Sequence, residues 1–298
     1  MKVLNFGSLN IDYVYQVDDF VKKGQTISSL NMHTYSGGKG LNQSIALARS
    51  GVPVFHAGAV GDDGKFLIDV LNEENINTKF VRKDVSVKTG HAIIQNNKQG
   101  DNCILLYGGA NERIDRDYVD FVLKEFDGGD ILLLQNETSE LKYIVDKAYE
   151  KGMTIILNPS PMNEKIFELD MNKISYIFMN EYEAQMLARE SSESMEVVIQ
   201  KIKSAYPELK ILLTLGEQGA IYFDKDTTVK QSAYQVDVVD TTAAGDTYTG
   251  YFIGGLIQNQ NIQEAMDMAS KASALAVMKK GAAPSIPYYN QVKSYNFR

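Results

Sequence analysis

A single cysteine, Cys103, in 298 residues excludes an internal disulfide and any cysteine-rich metal site, which fits a reducing compartment. Long hydrophobic runs are lacking too: none approaches membrane-spanning length, and no charged-then-apolar leader opens the sequence. Positive charge is in deficit. With 30 Lys and Arg against 38 Asp and Glu, the formal net charge of −8 argues against a nucleic-acid or anionic-membrane partner, since such surfaces need clustered cations. Histidine is limited to His33, His56 and His91, whose spacing suits no metal and which read as surface or internally satisfied residues. No repeat, low-complexity tract or Pro-rich linker divides the sequence. The expectation is a soluble cytoplasmic protein with no nucleic-acid or membrane partner, its 44% hydrophobic content ample for a substantial core. A nucleotide stays open to it, because backbone amides, a few lysines and a divalent cation can hold phosphates on an acidic protein.

Short apolar runs at 3–7, 54–59, 131–134, 154–157, 176–179 and 211–215 read as buried strands. Helical stretches at 41–49, 66–71, 141–148, 183–188 and 197–205 fall between most of them. This alternation predicts an α/β fold with a mostly parallel central sheet covered by helices on both faces. Two segments break the rhythm, about 13–35 and 90–107. The second is a hairpin pattern around the polar turn Asn96 to Asp101, and the two together predict a small β-sheet standing off the main body, a lid or an association surface.

Polar residues gather where strands should end, which is where open parallel sheets bind ligands. Asn10 and Asp12 follow the first strand and suit vicinal hydroxyls, or form a plain Asx-rich turn. Gly37-Gly38-Lys39-Gly40 opens a helix but is neither a P-loop nor a dinucleotide fingerprint: Gly40 follows Lys39 where Ser or Thr is needed, and Gln43 replaces the last glycine. Lys39 and Asn42 read instead as substrate-binding groups. Gln135 and Glu137 share a face if their strand runs on. Asn180 and Glu183, three apart in a first helical turn, suit hydrated Mg²⁺ or a capping box. Thr214, Gly216 and Gly219 form a glycine-punctuated turn that suits a nucleotide. Val239 to Thr247 puts Ala243, Ala244 and Gly245 with one carboxylate, Asp246, at the start of an apolar helix, an arrangement that suits either anion binding or ordinary helix capping.

Gly7 through Asp12, Gly37 through Gln43, Asn158-Pro159-Ser160-Pro161, Asn180 through Glu183, Asp240 through Thr247 and Lys280 through Ser285, in this order, resemble the ribokinase/PfkB family of carbohydrate kinases along essentially the whole chain. The resemblance implies a Rossmann-like ribokinase fold in a single kinase domain over 1–298, the two off-rhythm segments forming its lid. It implies transfer of the γ-phosphoryl of ATP to a sugar hydroxyl, with D-ribose giving ribose 5-phosphate as the first expectation. Asp246 would be the catalytic base, with Ala243, Ala244 and Gly245 as an anion hole. Asn10, Asp12, Gly38, Lys39, Asn42 and Glu137 match sugar-contacting positions, and Ala92, Ile94 and Leu106 an apolar lid. Asn180, Glu183, Thr214, Gly216 and Gly219 match the nucleotide side, Glu183 lying near Mg²⁺ through water. A monovalent-cation site, with K⁺ the expected occupant, corresponds to Asp240, Thr242, Ala276, Lys279, Gly281 and Ser285. A homodimer through the lid follows from the same resemblance.

Three positions depart from the family pattern. Asn136 and Thr242 stand where apolar residues are common, and His91 replaces an apolar lid residue, which bears on the sugar. Alternatives to ribose are fructose, another pentose or a nucleoside, and a non-catalytic sugar-responsive regulator is the reading from another class.

Overall fold

Successive side chains of the central strands enter two different cores. Leu132 and Leu134 belong to one apolar cluster, Ile131 and Leu133 to the other, as a strand buried on both faces requires. The computed structural model describes residues 1–99, 101–192 and 194–297. Gly100 of the expected hairpin turn, Glu193 and Arg298 lie outside the described residues.

In chain order the strands are β1 (Val3–Phe6), β2 (Asn10–Gln16), β3 (Asn31–Gly37), β4 (Val54–Val60), β5 (Asn77–Lys83), β6 (Gly90–Asn96), β7 (Asn102–Tyr107), β8 (Ile131–Gln135), β9 (Thr154–Asn158), β10 (Tyr176–Asn180), β11 (Lys210–Thr214), β12 (Ala220–Phe223) and β13 (Thr228–Gln231). The helices are α1 (Lys39–Arg49), α2 (Lys65–Glu73), α3 (Arg116–Leu123), α4 (Leu141–Glu150), α5 (Glu181–Ala188), α6 (Met195–Ala205), α7 (Ala244–Ile257), α8 (Ile262–Val277) and α9 (Tyr289–Ser294).

Nine strands form the main sheet in the order β13-β12-β11-β10-β9-β8-β1-β4-β5. From β11 to β5 every pairing is parallel. Helices α3 to α6 cover one face, and α1, α7 and α8 the other. The expected parallel α/β sheet is present, with a correction at one edge: β12 and β13 are antiparallel. The turn at Gly216–Gln218 is too short for a crossover helix, so β12 must fold straight back on β11.

Strands β3-β2-β6-β7 make the second, smaller sheet. It joins the two segments that broke the strand-helix rhythm, and β2 and β6 pair in parallel although 73 residues separate Gln16 from Gly90. Strand β7 is exposed along its length.

Helix α7 decides the placement of the site. Ten of its residues are buried, including Tyr251 and Phe252, so it is apolar nearly all round and lies between α1 and α8. A side chain at Gly250 would bring its Cβ within 2.4 Å of Ala46 Cβ. The glycine thus lets α1 and α7 approach closely, with their N-termini side by side.

Candidate active site

Asp246 is 8% exposed and stands in the first turn of α7, on the wall of a cavity of about 880 Å³. Both carboxylate oxygens are held from α1: Asn42 Nδ2 donates to Oδ2 at 3.0 Å and Gln43 Nε2 to Oδ1 at 2.9 Å. Ala243, the residue before the helix, has φ +60°, a left-handed conformation that a non-glycine residue adopts at a cost of about 1–2 kcal/mol. Ala244 N–H is not open as the sequence suggested, because it closes a turn on Thr241 O at 3.2 Å. Gly245 and Asp246 follow in the first turn, where N–H groups have no carbonyl four residues back within the helix. A Cβ at Gly245 would meet nothing within 4 Å, so its backbone is open to the cavity.

The residues expected on the sugar side come together around the end of β1. Gly40 packs so closely on the Gly7–Ser8 turn that a Cβ would lie 2.3 Å from Ser8 N, and Gly38 at φ +94° turns the chain into α1. This brings Glu137 to Lys39: Glu137 Oε2 accepts from Lys39 N–H at 3.0 Å and from the Ser8 hydroxyl. Burial pushes the Glu137 carboxyl up, and the Lys39 ammonium and the bonds from Ser8 and Lys39 N–H only partly offset this. Burial pulls the Lys39 ammonium down, but Asp246, Glu137 and Glu183 together hold it above its ordinary value. Lys39 therefore stays a cation between the carboxylates.

Asp12 rises to about 7, because it is desolvated and faces the negative charge of Glu137. Asn10 is oriented by a residue that the motif did not include: Asn111 Nδ2 donates to Asn10 Oδ1 at 2.8 Å, leaving the Asn10 amide hydrogens for a ligand.

In the small sheet, Asp12 lies opposite Ala92 and Ala92 opposite Leu106, with Ile94 two residues on, so the three expected apolar residues share the Asp12 face. His91 does not. It pairs with Ile11 and Tyr107 on the reverse face, its ring 4.9 Å from that of Tyr107 and 5.7 Å from that of Tyr13. It thus leaves the set that bears on the sugar.

The residues expected on the nucleotide side line the cavity together with Lys39 and the 243–246 turn. Asn180, Glu183, Thr214, Gly216 and Gly219 all reach it from the carboxyl ends of β10 and β11. Asn180 and Glu183 also form a full capping box, Glu183 Oε2 accepting from Asn180 N–H and Asn180 Oδ1 from Glu183 N–H. That commits one Glu183 oxygen to the helix. Among the described residues no group of three or more His, Cys, Asp or Glu could hold a metal ion. A divalent ion here would depend on phosphate and water oxygens, with Glu183 as an outer partner.

Of the six expected cation-site residues, hydrogen bonds join Asp240 to Thr242 and to Gly281. Asp240 Oδ1 accepts from Thr242 N–H at 2.9 Å and its hydroxyl at 2.6 Å, and Oδ2 accepts from Gly281 N–H at 2.9 Å. Burial raises the Asp240 carboxyl, but these donors and Lys280 bring it below its ordinary value. The Thr242 hydroxyl explains why this residue is not apolar. Ala276 O accepts from Lys279 N–H at 3.1 Å, and the buried Ser285 hydroxyl donates to Ala282 O at 2.8 Å. An all-oxygen set of one carboxylate, one hydroxyl and backbone carbonyls fits a hard monovalent cation.

Two further expectations change. β8 stops at Gln135, so Gln135 and Glu137 do not share a strand face: Gln135 turns inward to Asn5 and Gln43, and Glu137 faces Lys39. Asn136, the polar residue between them, donates to Pro161 O at 2.7 Å and ties the loop after β9 to β8. His56 is neither a surface residue nor fully satisfied. It is fully buried, with Nδ1 2.8 Å from Ser44 Oγ and Nε2 without a hydrogen-bond partner among the described residues. Gln135 was legible as a polar residue at a strand end, Asn5 only as a polar interruption of an apolar strand, and Asn111 gave no sequence signal.

The sequence profile of the pfkB family carbohydrate kinases matches residues 1–288. The chain is 34% identical over 300 residues to the ribokinase of Staphylococcus aureus (strain COL), covering 98% of each. Among solved structures it is similar to the ribokinase of Cryptococcus neoformans var. grubii serotype A in complex with ADP, at TM-score 0.87 and 30% identity, covering 98% of both chains. It is also similar to Arabidopsis thaliana ribokinase complexed with ribose and ATP, at TM-score 0.87 and 28% identity, covering 99% of both. A profile matched from the first residue to 288, over the ribokinase fold and a site built at its strand ends, establishes that this chain belongs to the pfkB family of carbohydrate kinases.

Proposed function

We propose that the chain is an ATP-dependent ribose kinase, transferring the γ-phosphoryl of ATP to D-ribose to give ribose 5-phosphate. The observation that carries this reading is the double position of Asp246: it lies on the wall of the 880 Å³ cavity and is hydrogen-bonded to Asn42 beside Lys39. Asn10, Asp12, Gly38, Lys39, Asn42 and Glu137 then hold the sugar, and Asn180, Glu183, Thr214, Gly216 and Gly219 the nucleotide. That Arabidopsis ribokinase is complexed with ribose and ATP supports ribose and ATP as the pair of ligands.

In this reading the sugar hydroxyl oxygen bonds to the γ-phosphorus as the bond from that phosphorus to the β,γ-bridging oxygen breaks, and ADP leaves. The hydroxyl proton passes to Asp246. In a loose phosphoryl-transfer transition state the nucleophile becomes acidic late, so much of what Asp246 contributes is orientation. Lys39 and the first-turn N–H groups of Gly245 and Asp246 meet the charge on the transferring group. A magnesium ion, when bound with the triphosphate near Glu183, neutralises phosphate charge. The cation site would be filled by K⁺ held by Asp240, Ser285 and the carbonyls of Thr242, Ala276, Lys279 and Gly281, directly behind the turn.

The small sheet is the lid, with Ala92, Ile94 and Leu106 toward the sugar. Its edge strand β7 exposes Leu105 and Tyr107 on the face turned away from Ala92 and Leu106, apolar surface that supports a homodimer formed lid to lid. Light scattering that finds a monomer at micromolar concentration overturns the dimer. The single, exposed Cys103 supports a cytoplasmic location.

The deciding experiment is a coupled ADP-release screen over ribose, deoxyribose, fructose and nucleosides with Mg²⁺, in K⁺ and again in Na⁺. Ribose turns over fastest, and faster in K⁺. Rapid turnover of another acceptor with ribose inert replaces the substrate, and no ADP release with any acceptor points to a non-catalytic regulator.

A further inference from the structure

Asn5, Gln43, Ser44, His56 and Gln135 are polar side chains at most 1% exposed, and none of them lines the cavity. Buried polar groups cost free energy unless paired, so their pairing calls for a reason. They form one line that starts at the candidate base. Gln43 Nε2 donates to Asp246 Oδ1 at 2.9 Å, and Gln135 Nε2 donates to Gln43 Oε1 at 2.6 Å and to Asn5 Oδ1 at 3.1 Å. Asn5 Nδ2 donates to Ser44 Oγ at 2.8 Å and to Gly40 O at 2.7 Å, and Ser44 Oγ lies 2.8 Å from His56 Nδ1.

Each amide in this line has its direction set by the one before it. An ionised carboxylate only accepts, so Gln43 must turn its NH₂ to Asp246 and its Oε1 away. Gln135 must then donate to Gln43. A flipped Gln135 would set its oxygen against the oxygens of both Gln43 and Asn5. The observed direction leaves Gln135 Oε1 buried without a partner among the described residues, one orphan acceptor in place of two opposed oxygen pairs. Asn5 in turn donates to Ser44, which keeps its own proton for His56, an imidazole that burial holds neutral.

We propose that Gln43 is a positioning residue for Asp246, with Gln135 and Asn5 fixing the direction of its amide. The line holds Oδ1 from inside the protein, so the carboxylate cannot rotate about its last bond, and Oδ2, next to Asn42, is kept toward the sugar side. A carboxylate free to rotate loses alignment with the attacking hydroxyl, a misplacement that costs on the order of 100-fold in rate when it reaches 1 Å. The catalytic consequence rests on the kinase reading; the hydrogen-bonded line does not.

The test compares Gln43→Met and Gln135→Met with the wild type in steady-state turnover of ribose and ATP. Gln43→Met is expected to lower kcat about 10- to 100-fold with both KM values within about two-fold, and Gln135→Met to lower kcat less, in the same sense. Wild-type kcat in Gln43→Met, or KM rising in step as kcat falls, overturns the proposal. If Gln43→Met shows no thermal transition, Gln135→Met decides, and its wild-type kcat overturns the proposal. A second readout needs no turnover. In ligand-free protein the Gln43 side-chain amide, identified by its absence from the Gln43→Met NMR spectrum, shifts in Asp246→Asn; an unmoved amide signal overturns the line. A wild type inert toward every acceptor, with that shift present, fails the kinase reading alone.

Discussion

Asn42 Nδ2 lies 3.0 Å from Asp246 Oδ2 across 204 residues of sequence, joining the first turn of α1 to the first turn of α7. Two helix N-termini thus meet at one buried carboxylate, with Lys39 beside them. This arrangement places the candidate base between a polar sugar-side set and a cavity roomy enough for a nucleotide.

Asp246→Asn keeps the shape of the carboxylate but removes its negative charge and its capacity to take the hydroxyl proton. We expect ribose and ATP to bind as before, by calorimetry, while turnover falls by a factor on the order of 10²–10⁴. Near-wild-type turnover would remove Asp246 from the chemistry.

Asp12 sits at about 7 in the ligand-free protein. Its ionised form is the better acceptor for sugar hydroxyls, so sugar binding draws the group toward ionisation. The sign follows: KM for the sugar rises as pH falls below about 7 and levels off above it. Asp12→Asn should raise KM at all pH values and flatten that limb. A KM independent of pH between 5 and 8 in the wild type would contradict the assignment (a span of about two pH units below and one above the stated value).

Ala243 occupies the left-handed region at φ +60°. Glycine adopts this backbone without the Cβ clash, at the expense of greater freedom in the unfolded chain, so the two effects partly cancel. Ala243→Gly is expected to stabilise the fold by up to about 1 kcal/mol, read as a higher Tm. A lower Tm would mean that the conformation carries no strain.

Arg49 ends α1 in a nearly buried ion pair: Nε donates to Glu74 Oε2 at 3.0 Å, and the side chains of Arg49 and Glu74 are 10% and 12% exposed. Nη1 also donates to Ala283 O, at 2.9 Å, and to Ile286 O, so the guanidinium ties α1 to the loop beside the cation-site residues. Arg49→Met strands the Glu74 charge and two carbonyls, and should cost about 3–5 kcal/mol in denaturant unfolding. A loss under 1 kcal/mol would show that water replaces the guanidinium (about the size of an exposed pair).

The chain's rhythm of short apolar runs and amphipathic stretches determined the parallel sheet and its two helical layers, because burial on both faces demands near-continuous apolar strands. Gly38, Lys39, Asn42, Asn180, Glu183 and Asp246 were legible because loops at strand ends and first helical turns carry their chemistry in local order. The edge strands β12 and β13 were not, since four residues apiece carry too little pattern to set direction. Nor was the face of His91, which depends on the register of β6 against β2, a pairing of distant segments. The polar line from Asp246 through Gln43 and Gln135 to Asn5 was beyond sequence altogether: its members lie on α7, α1, β8 and β1, and only the packing of those elements brings their amides within hydrogen-bonding distance. Sequence determined which groups the strand ends and first helical turns carry; tertiary structure decided which way each one points and added Asn111 and the Gln43 line, because partners that the chain order keeps apart set both.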